Sequence, residues 1–281
     1  MEGMEWRPFS DLRETDIDFR GMAYSYEYAK KHKNLENAYF TNFTKPGMRK
    51  IGIWECLEVR SDEKGEIWFR VMDKPPADTW QEKREFQTHL GTFVSVDKGE
   101  FGGSLTTPCG KQIGGNFVAV FDCEDPEWGM VTYAVSSLGH LLCGWVTILA
   151  FLDGEDYVQV YDTDGRKDFL LEKKEWENLV MRTWFVQGGK VYVLLSGHIN
   201  EKETRKSRLC SKILEITAGD VVRITECARS IDKVGNMIVV DDEAYVAADK
   251  MLYEIDLNTG EYRMFTMLGH NDKEHLVKAY G

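Results

Sequence analysis

Short segments in which apolar and polar residues alternate, each closed by a turn sequence, fill this chain from residue 51 onward. Ile51–Val59 alternates, Ser61–Gly65 is rich in turn formers, and Ile67–Val71 alternates again, which is typical of a β-hairpin. Later hairpins turn at Asp153-Gly154, Gly188-Gly189, Gly219-Asp220, Asp241-Asp242 and Asn258-Thr259-Gly260. Segments of helical period longer than two turns are absent between them. The sequence therefore predicts an all-β, antiparallel fold and disfavours a parallel α/β fold.

Three hairpins can be aligned with one another: Tyr157–Leu171, Lys212–Ile224 and Leu252–Phe265, which turn at Gly165, Gly219 and Gly260. Their spacing is close to the roughly 40–50 residues of a four-stranded propeller blade. The segment ADKMLYEIDLNTGEYRMF, residues 248–265, resembles the last two strands of a β-propeller blade. This resemblance implies a β-propeller of about five four-stranded blades, formed by residues 51–281 as a single globular unit. A two-sheet sandwich or a large barrel would use the same strands and stays open.

Residues 1–50 have a different character, being polar, rich in aromatic residues and poor in β-branched residues. The stretch from Met22 to Lys31 contains good helix formers and no helix breaker, which predicts a short helix. Lys45-Pro46-Gly47 predicts a turn that ends the segment. We therefore expect a short, partly helical N-terminal segment, residues 1–50, that packs on the propeller-like domain.

The charge balance restricts the partners that this chain can have. Asp and Glu number 47 against 35 Lys and Arg, a formal net charge of -12. Nucleic-acid binding requires a cationic surface, and an anionic membrane surface would repel this chain, so neither partner is expected. A basic protein would be attracted. The chain has no apolar run of membrane-spanning length, and its opening MEGMEWRPFSDLRETD does not resemble a secretory signal, so we expect a cytoplasmic protein.

Cysteine and histidine spacings predict neither a disulfide framework nor a metal site. The six cysteines are scattered without a CxxC pair, and the six histidines stand apart from any recognisable catalytic motif. Asp162-Thr163-Asp164-Gly165 begins like a calcium loop, but the acid required at its far end is missing, so a hairpin turn is favoured. We expect no cofactor and no catalytic residues, hence a binding protein that is not an enzyme and is monomeric on its own.

Two acidic loops are the main candidates for a binding surface. Residues 124–128 contain three acids beside Trp128 and no base, and residues 153–156 contain three more acids. Solvation of the charges is enough to explain either loop alone. Asp241-Asp242-Glu243 is a third acidic stretch. If several of these loops lie on one face, however, they form a strongly negative surface that mimics a nucleic-acid backbone and suits a cationic protein.

The segment GEFGG, residues 99–103, follows the strand-like run Thr92–Val96. No helix comes after it, so a phosphate cradle is disfavoured, and a bulge or close backbone approach that pushes Glu100 and Phe101 outward is favoured. The segment resembles one in bacterial proteins encoded as immunity partners of toxins. That resemblance implies a protein that neutralises a basic toxin domain such as a nuclease. The candidate partner-binding residues are Glu100, Phe101, Glu124, Asp125, Glu127, Trp128, Asp153, Glu155 and Asp156.

Two other functions stay open. Paired acids with tryptophan platforms would suit a carbohydrate-binding or glycoside-acting propeller. A scaffold that binds a host peptide is the third alternative. A toxin gene beside this one would favour the immunity hypothesis, whereas a sugar-utilisation cluster would favour the carbohydrate hypothesis.

Overall fold

The computed structural model of the chain describes residues 5–19, 22–25, 39–41, 50–52, 56–72, 82–140, 143–164, 175–201, 203–204, 206–268 and 276–278. These residues form β-strands, turns and two short 3-10 helices, η1 (Phe9–Asp11) and η2 (Gly99–Phe101), and they contain no α-helix. The prediction of an all-β fold is therefore confirmed. Nothing helical in these ranges has the length and apolar character needed to cross a membrane.

In chain order, the strands within the described ranges are β1 (Arg7–Pro8), β2 (Arg13–Glu14), β3 (Met22–Ser25), β4 (Tyr39–Thr41), β5 (Lys50–Gly52), β6 (Cys56–Ser61), β7 (Ile67–Met72), β8 (Lys83–Thr88), β9 (Gly91–Asp97), β10 (Gly103–Thr106), β11 (Gln112–Gly114), β12 (Phe117–Asp125), β13 (Gly129–His140), β14 (Cys143–Phe151), β15 (Tyr157–Asp164), β16 (Glu175–Gln187), β17 (Lys190–Glu201), β18 (Ser207–Thr217), β19 (Asp220–Cys227), β20 (Val234–Val240), β21 (Glu243–Ala248), β22 (Met251–Asp256), β23 (Tyr262–Thr266) and β24 (Leu276–Lys278).

The described strands form six antiparallel sheets. Sheet 1 has the strand order β11-β10-β9-β8, sheet 2 has β12-β13-β14-β15, and sheet 3 has β16-β17-β18-β19. Sheet 4 has the order β2-β23-β22-β21-β20, sheet 5 has β1-β7-β6, and sheet 6 has β24-β3-β5-β4. Sheets 1 to 4 thus each contain a meander of four consecutive strands, as expected when short strands are joined by tight turns.

The chain divides into two compact units. The first comprises Met1–Asp78, Lys233–Leu257 and Glu261–Gly281, and the second comprises Thr79–Asp232 with Asn258–Gly260. Sheets 1, 2 and 3 belong to the second unit, and sheets 4, 5 and 6 belong to the first. The predicted division into residues 1–50 and 51–281 stays a prediction.

In the second unit, sheet 2 packs on both of its faces. One face lies on an apolar cluster with Phe93 and Leu105 of sheet 1, and the other lies on a cluster with Val193 and Leu214 of sheet 3. A strand that is buried on both faces needs apolar residues at successive positions instead of alternate ones. This explains the continuous apolar run Phe117–Phe121 in β12.

In the first unit, strand β2 from early in the chain joins sheet 4 beside β23, with Arg13 opposite Thr266. Sheet 5 is tied to sheet 4 by the side chain of Asn236. Its Nδ2 donates to the carbonyl oxygen of Val59 (2.6 Å), and its Oδ1 accepts from the N–H group of the same residue (3.0 Å). Donor and acceptor of this amide are therefore both satisfied.

A glycine in the left-handed backbone region marks the turn between the third and fourth meander strands of sheets 1 to 4. Gly110, Gly154, Gly219 and Gly260 have φ angles of 88°, 80°, 70° and 75°, which residues with a Cβ atom rarely adopt. A repeated unit is thus present, but the glycine predicted for this turn of sheet 2, Gly165, is wrong. The glycine of this sheet is Gly154, because Tyr157–Asp164 is the fourth strand of the sheet; residues 165–171 lie outside the described residues.

The helix predicted for Met22–Lys31 is wrong where the structure describes it, because Met22–Ser25 is strand β3. In sheet 6, Ala23 lies opposite Val277 and Tyr24 lies opposite Ile51. Cross-strand pairing here outweighs a helix propensity that is weak over so few residues. The rest of the predicted helix and the predicted turn at residues 45–47 lie outside the described residues.

Candidate functional site

Both predicted acidic loops lie at the same end of sheet 2. Residues 125–129 turn from β12 to β13, and residues 151–157 turn from β14 to β15. Successive turns of a meander alternate between the two ends of a sheet, so the first and third turns share an end. They lie about 10 Å apart, at about 4.8 Å per strand. We call residues 124–130 and 152–157 the acidic end.

Asp125 is buried and organises the first turn of the acidic end. Its Oδ1 accepts hydrogen bonds from the backbone N–H groups of Glu127 (2.8 Å) and Trp128 (3.0 Å), and its Oδ2 accepts one from Ala218 (2.5 Å). Burial alone would raise the pKa of Asp125, but the three donors outweigh it and lower the pKa. The carboxylate thus stabilises the fold of the turn, and its role as a contact residue stays a prediction. Glu124 and Glu127 are exposed.

Trp128 is 36% exposed and lies over the β18–β19 turn. A Cβ atom at Gly219 would be 2.3 Å from Cη2 of its indole ring, so a larger residue there would displace the ring. The β16–β17 turn makes a similar approach, since a Cβ atom at Gly189 would be 2.7 Å from Cδ of Pro126. Two turns of sheet 3 therefore support the first acidic turn and fix the position of Trp128.

The second acidic turn is held by an aspartate of its own. Asp153 Oδ1 accepts hydrogen bonds from the backbone N–H groups of Asp156 (3.1 Å) and Glu155 (3.0 Å), and these bonds lower the pKa of Asp153. Lys111 of sheet 1 donates to the carbonyl oxygen of Glu155 (2.7 Å), and its Nζ lies 3.5 Å from Oδ1 of Asp156. All three acids are nevertheless exposed, so the turn presents its charge in a fixed conformation.

Large apolar side chains are exposed beside these charges. Met130, Leu152 and Tyr157 all belong to the acidic end and are exposed to solvent. The ring of Tyr157 also packs 5.5 Å from that of Phe151, measured between centroids, which restrains it. Exposed apolar groups within a polar surface are typical of protein-binding sites.

A histidine–carboxylate pair beside the acidic end was missed by sequence reasoning. His89, in the β8–β9 turn, donates its backbone N–H to Asp122 Oδ2 (2.7 Å), and its Nδ1 lies 2.9 Å from Asp122 Oδ1. The Thr132 hydroxyl donates to the same Oδ1 (2.6 Å). Burial would raise the pKa of Asp122, but the bonds from Thr132 and His89 lower it. The pair joins sheet 1 to sheet 2, and a separation of 33 residues leaves no local pattern that could reveal it.

The GEFGG turn, residues 99–103, lies at the opposite end. It connects β9 to β10 and is held by Asn116, whose Nδ2 donates to Asp97 Oδ1 (2.6 Å), Gly99 O (3.0 Å) and Gly102 O (3.2 Å). Asn116 precedes β12, whereas the acidic end begins where β12 finishes. At about 3.3 Å per residue, the strand separates the two turns by about 30 Å.

Phe101 is 85% exposed at the tip of the GEFGG turn, and Glu100 belongs to the same 3-10 helix. The predicted close backbone approach occurs at Gly103, where a Cβ atom would be 2.6 Å from the Val96 carbonyl oxygen. The structure therefore divides the predicted surface in two. The residues at the acidic end are Glu124, Glu127, Trp128, Asp153, Glu155 and Asp156, and those at the opposite end are Glu100 and Phe101.

In the ranges that the structure covers, no three His, Cys, Asp or Glu side chains are grouped so that they could hold a metal ion. The segment that resembles the start of a calcium loop begins at Asp162, whose Oδ1 accepts a hydrogen bond from the Thr147 hydroxyl (2.8 Å). Comparison with known proteins identifies no relative, since no protein-family model, curated protein or solved structure matches this chain.

Proposed function

We propose that this protein is a non-enzymatic immunity protein, which binds and neutralises a basic bacterial toxin domain through its acidic end. One observation carries the proposal: two turns with exposed carboxylates share one end of sheet 2, and each is fixed by hydrogen bonds to an aspartate of its own. Exposed apolar side chains, among them Trp128, lie beside the charges.

Physical arguments favour a protein as the ligand of such a surface. Fixed turns lose little conformational entropy when they bind, so more of the contact energy appears as affinity. Trp128 can serve as an apolar anchor surrounded by charge. A net charge of -12 would steer a cationic partner toward the protein and accelerate association, as an inhibitor of a lethal enzyme requires.

The partner that we propose is a nuclease toxin met in the bacterial cytoplasm. A nuclease must present cations to the phosphates of its substrate. Carboxylates held in fixed turns imitate that row of negative charges and would occupy the same cationic surface. The proposed immunity protein would thus compete directly with the nucleic acid.

For the fold, we propose a β-propeller of five blades formed by sheets 1 to 5. Sheets 1 to 4 each contain a four-stranded meander, and sheet 2 packs face to face with sheets 1 and 3, as blades do. The recurring glycine of the third turn agrees with repetition of one structural unit. A crystal structure whose sheets do not surround a common axis would refute the propeller.

The test uses charge reversal in two matched turns. The toxin domain encoded by the neighbouring gene, made as an inactive variant, is titrated against the wild type, against Glu124→Lys/Glu127→Lys, and against Glu63→Lys/Glu66→Lys. All four glutamates are exposed, in a turn or beside one, and both variants change the net charge equally. We expect the acidic-end variant to lower the association rate constant by about tenfold or more and, in cells that express the active toxin, to abolish growth rescue. Equal losses in both variants, or no binding by the wild type, would contradict the proposal.

A further inference from the structure

A cleft of about 430 Å³ opens between sheets 2 and 3 of the second unit. One wall is the last part of β15, at Tyr161, and the other is the first part of β16, at Trp176 and Glu177. Both positions lie at the end of their strands remote from the acidic end. Ile199, from the apolar core between the two sheets, also lines the cleft. The volume is in the range of small-molecule sites.

Two ion pairs cross the side of the cleft that sheet 3 forms. Glu177 Oε1 lies 2.5 Å from Lys212 Nζ, and Glu226 Oε1 lies 2.5 Å from Arg208 Nη1. The side chains of Lys212 and Glu177 are only 12% and 25% exposed. Removal of such charges from water is unfavourable, and apolar residues of similar size are often at least as stable in their place. Stability alone therefore does not explain the first pair.

The second carboxylate oxygen of Glu177 accepts no hydrogen bond from the described residues. This atom, Oε2, is buried. Tyr161 lines the same cleft; burial, and next the charge of Glu177, raise the pKa of its phenol, which stays protonated. A buried carboxylate oxygen without a donor is unfavourable, so a ligand hydroxyl at this atom would be bound favourably.

We infer that this cleft is a saccharide-binding site. Sugar hydroxyl groups donate to carboxylates and accept from guanidinium groups, and here Glu177 and Arg208 supply both. The rings of Trp176 and Tyr161 offer apolar surface for the C–H face of a sugar ring. The cleft is lined by the four carboxylates of Asp162, Glu175, Glu177 and Glu226, against the two cations Arg208 and Lys212, so an anionic ligand would be repelled. Each cation is already paired with a carboxylate. A neutral polyhydroxylated ligand can use the remaining polar atoms without carrying a charge into the cleft, and a cationic ligand is the competing occupant that the test includes.

The inference does not depend on the proposed immunity function, because the cleft and the acidic end lie at opposite ends of the strands. The variant Glu124→Lys/Glu127→Lys is therefore expected to bind saccharide as the wild type does. Failure of toxin binding and failure of saccharide binding can thus be observed separately on the same set of proteins.

The test is a saturation-transfer NMR titration of the full chain with glucose, galactose, N-acetylglucosamine, cellobiose and maltose. We expect at least one sugar to bind saturably at millimolar concentration, with an affinity independent of salt. Glu177→Gln is expected to weaken binding by about tenfold or more. The matched control is Glu58→Gln, because Glu58 forms a similar cross-strand ion pair with Arg70 in sheet 5.

Tyr161→Phe is a second variant that is expected to fold, since it removes one hydroxyl and keeps the ring. If Glu177→Gln unfolds, this second variant decides the test, and a loss of at least severalfold is expected. The inference is overturned if none of the five sugars binds, or if folded Glu177→Gln and Tyr161→Phe both bind as the wild type does. It is also overturned if spermidine binds in a salt-sensitive manner and the sugars do not.

Discussion

The β12–β13 turn and the GEFGG turn lie beyond opposite ends of strand β12 and share one device. Asp125 accepts backbone N–H bonds within the first turn, and Asp97 accepts one from Gly99 (2.8 Å) within the second. Each buried carboxylate also receives a donor from elsewhere: Ala218 of the β18–β19 turn at the first, and the Asn116 side chain at the second. The two turns differ in what they display, since one exposes carboxylates and the other exposes a phenylalanine.

The comparison shows that acids serve the fold as well as the surface. A buried carboxylate with several donors fixes a turn, and a fixed turn can hold an unfavourable group in water, either like charges or an apolar ring. The number of acids in a loop therefore overstates the charge that the loop presents. Asp125 and Asn116 are therefore the residues whose removal should destabilise the β12–β13 turn and the GEFGG turn most, respectively.

Removal of the side chain that accepts or donates the hydrogen bonds of each turn, Asp125 or Asn116, should cause the largest losses of stability. Asp125→Ala leaves three backbone N–H groups without their acceptor and should lower the free energy of unfolding by about 3 kcal/mol. Asn116→Ala removes a neutral donor from the GEFGG turn and should lower it by about 2 kcal/mol. Urea unfolding measures both values. Only Asp125→Ala should alter the fluorescence of Trp128; an equal change in Asn116→Ala would mean that the turns are coupled.

Substitution of one glycine in each turn should cause smaller losses of stability, and the two losses should differ. Gly219→Ala combines a left-handed φ of 70° with a clash against Trp128, whereas Gly102→Ala has a φ of 94° and open space around it. We expect losses of about 2 and about 1 kcal/mol, the difference being the displacement of the indole ring. Equal losses would show that the ring moves freely.

Acid should destabilise the fold in part through the aspartates of the acidic end and beside it. The pKa values of Asp122 and Asp125 are lower in the folded protein than the ordinary 3.8. Such groups stabilise the fold above the unfolded pKa, and the contribution is lost as pH falls through the folded value. The urea midpoint should therefore decline below about pH 4, and less steeply in Asp122→Asn. Asn116→Ala should keep the wild-type slope; a flattened slope there would assign the effect to other groups.

Thiol alkylation should report the smallest effect, a difference in accessibility. Cys109 is exposed beside the second acidic turn, where its Sγ donates to Gly154 O (3.2 Å) and the Thr107 hydroxyl lowers its pKa. Bound toxin domain should protect Cys109 and leave Phe101→Cys reactive, and mass spectrometry measures the alkylation of each thiol. Protection of Phe101→Cys alone would place the partner at the opposite end.

The sequence predicted most of what depends on neighbouring residues. Alternation with Asp and Gly at the turns located the hairpins at residues 153–154, 188–189 and 241–242, because strand period and turn chemistry are local properties. The phase of the repeat failed in sheet 2, since Asp164-Gly165 has the same turn composition as Asp153-Gly154. Composition alone cannot decide which of two such pairs joins paired strands.

The candidate site was predicted in part, for the same reason. That two acidic loops share an end follows from the meander, and the loops themselves were visible in the sequence. The inward orientation of Asp125 depends on a donor from Ala218, which is 93 residues away. A local signal did exist: Asp followed by Pro126 begins a turn in which an aspartate accepts bonds from the next N–H groups. The split between the GEFGG turn and the acidic end required the length and direction of β12.

In sheet 4, strand β2 at residues 13–14 pairs with β23 at residues 262–266. This pairing cannot form until nearly the whole chain has been synthesised. On a ribosome that adds about 5–20 residues per second, roughly 10–50 s pass between the synthesis of β2 and the synthesis of β23. Pairing over such a distance along the chain also closes slowly. The nascent protein therefore carries an unmatched edge through most of its translation, and the availability of chaperones during that interval should govern its yield.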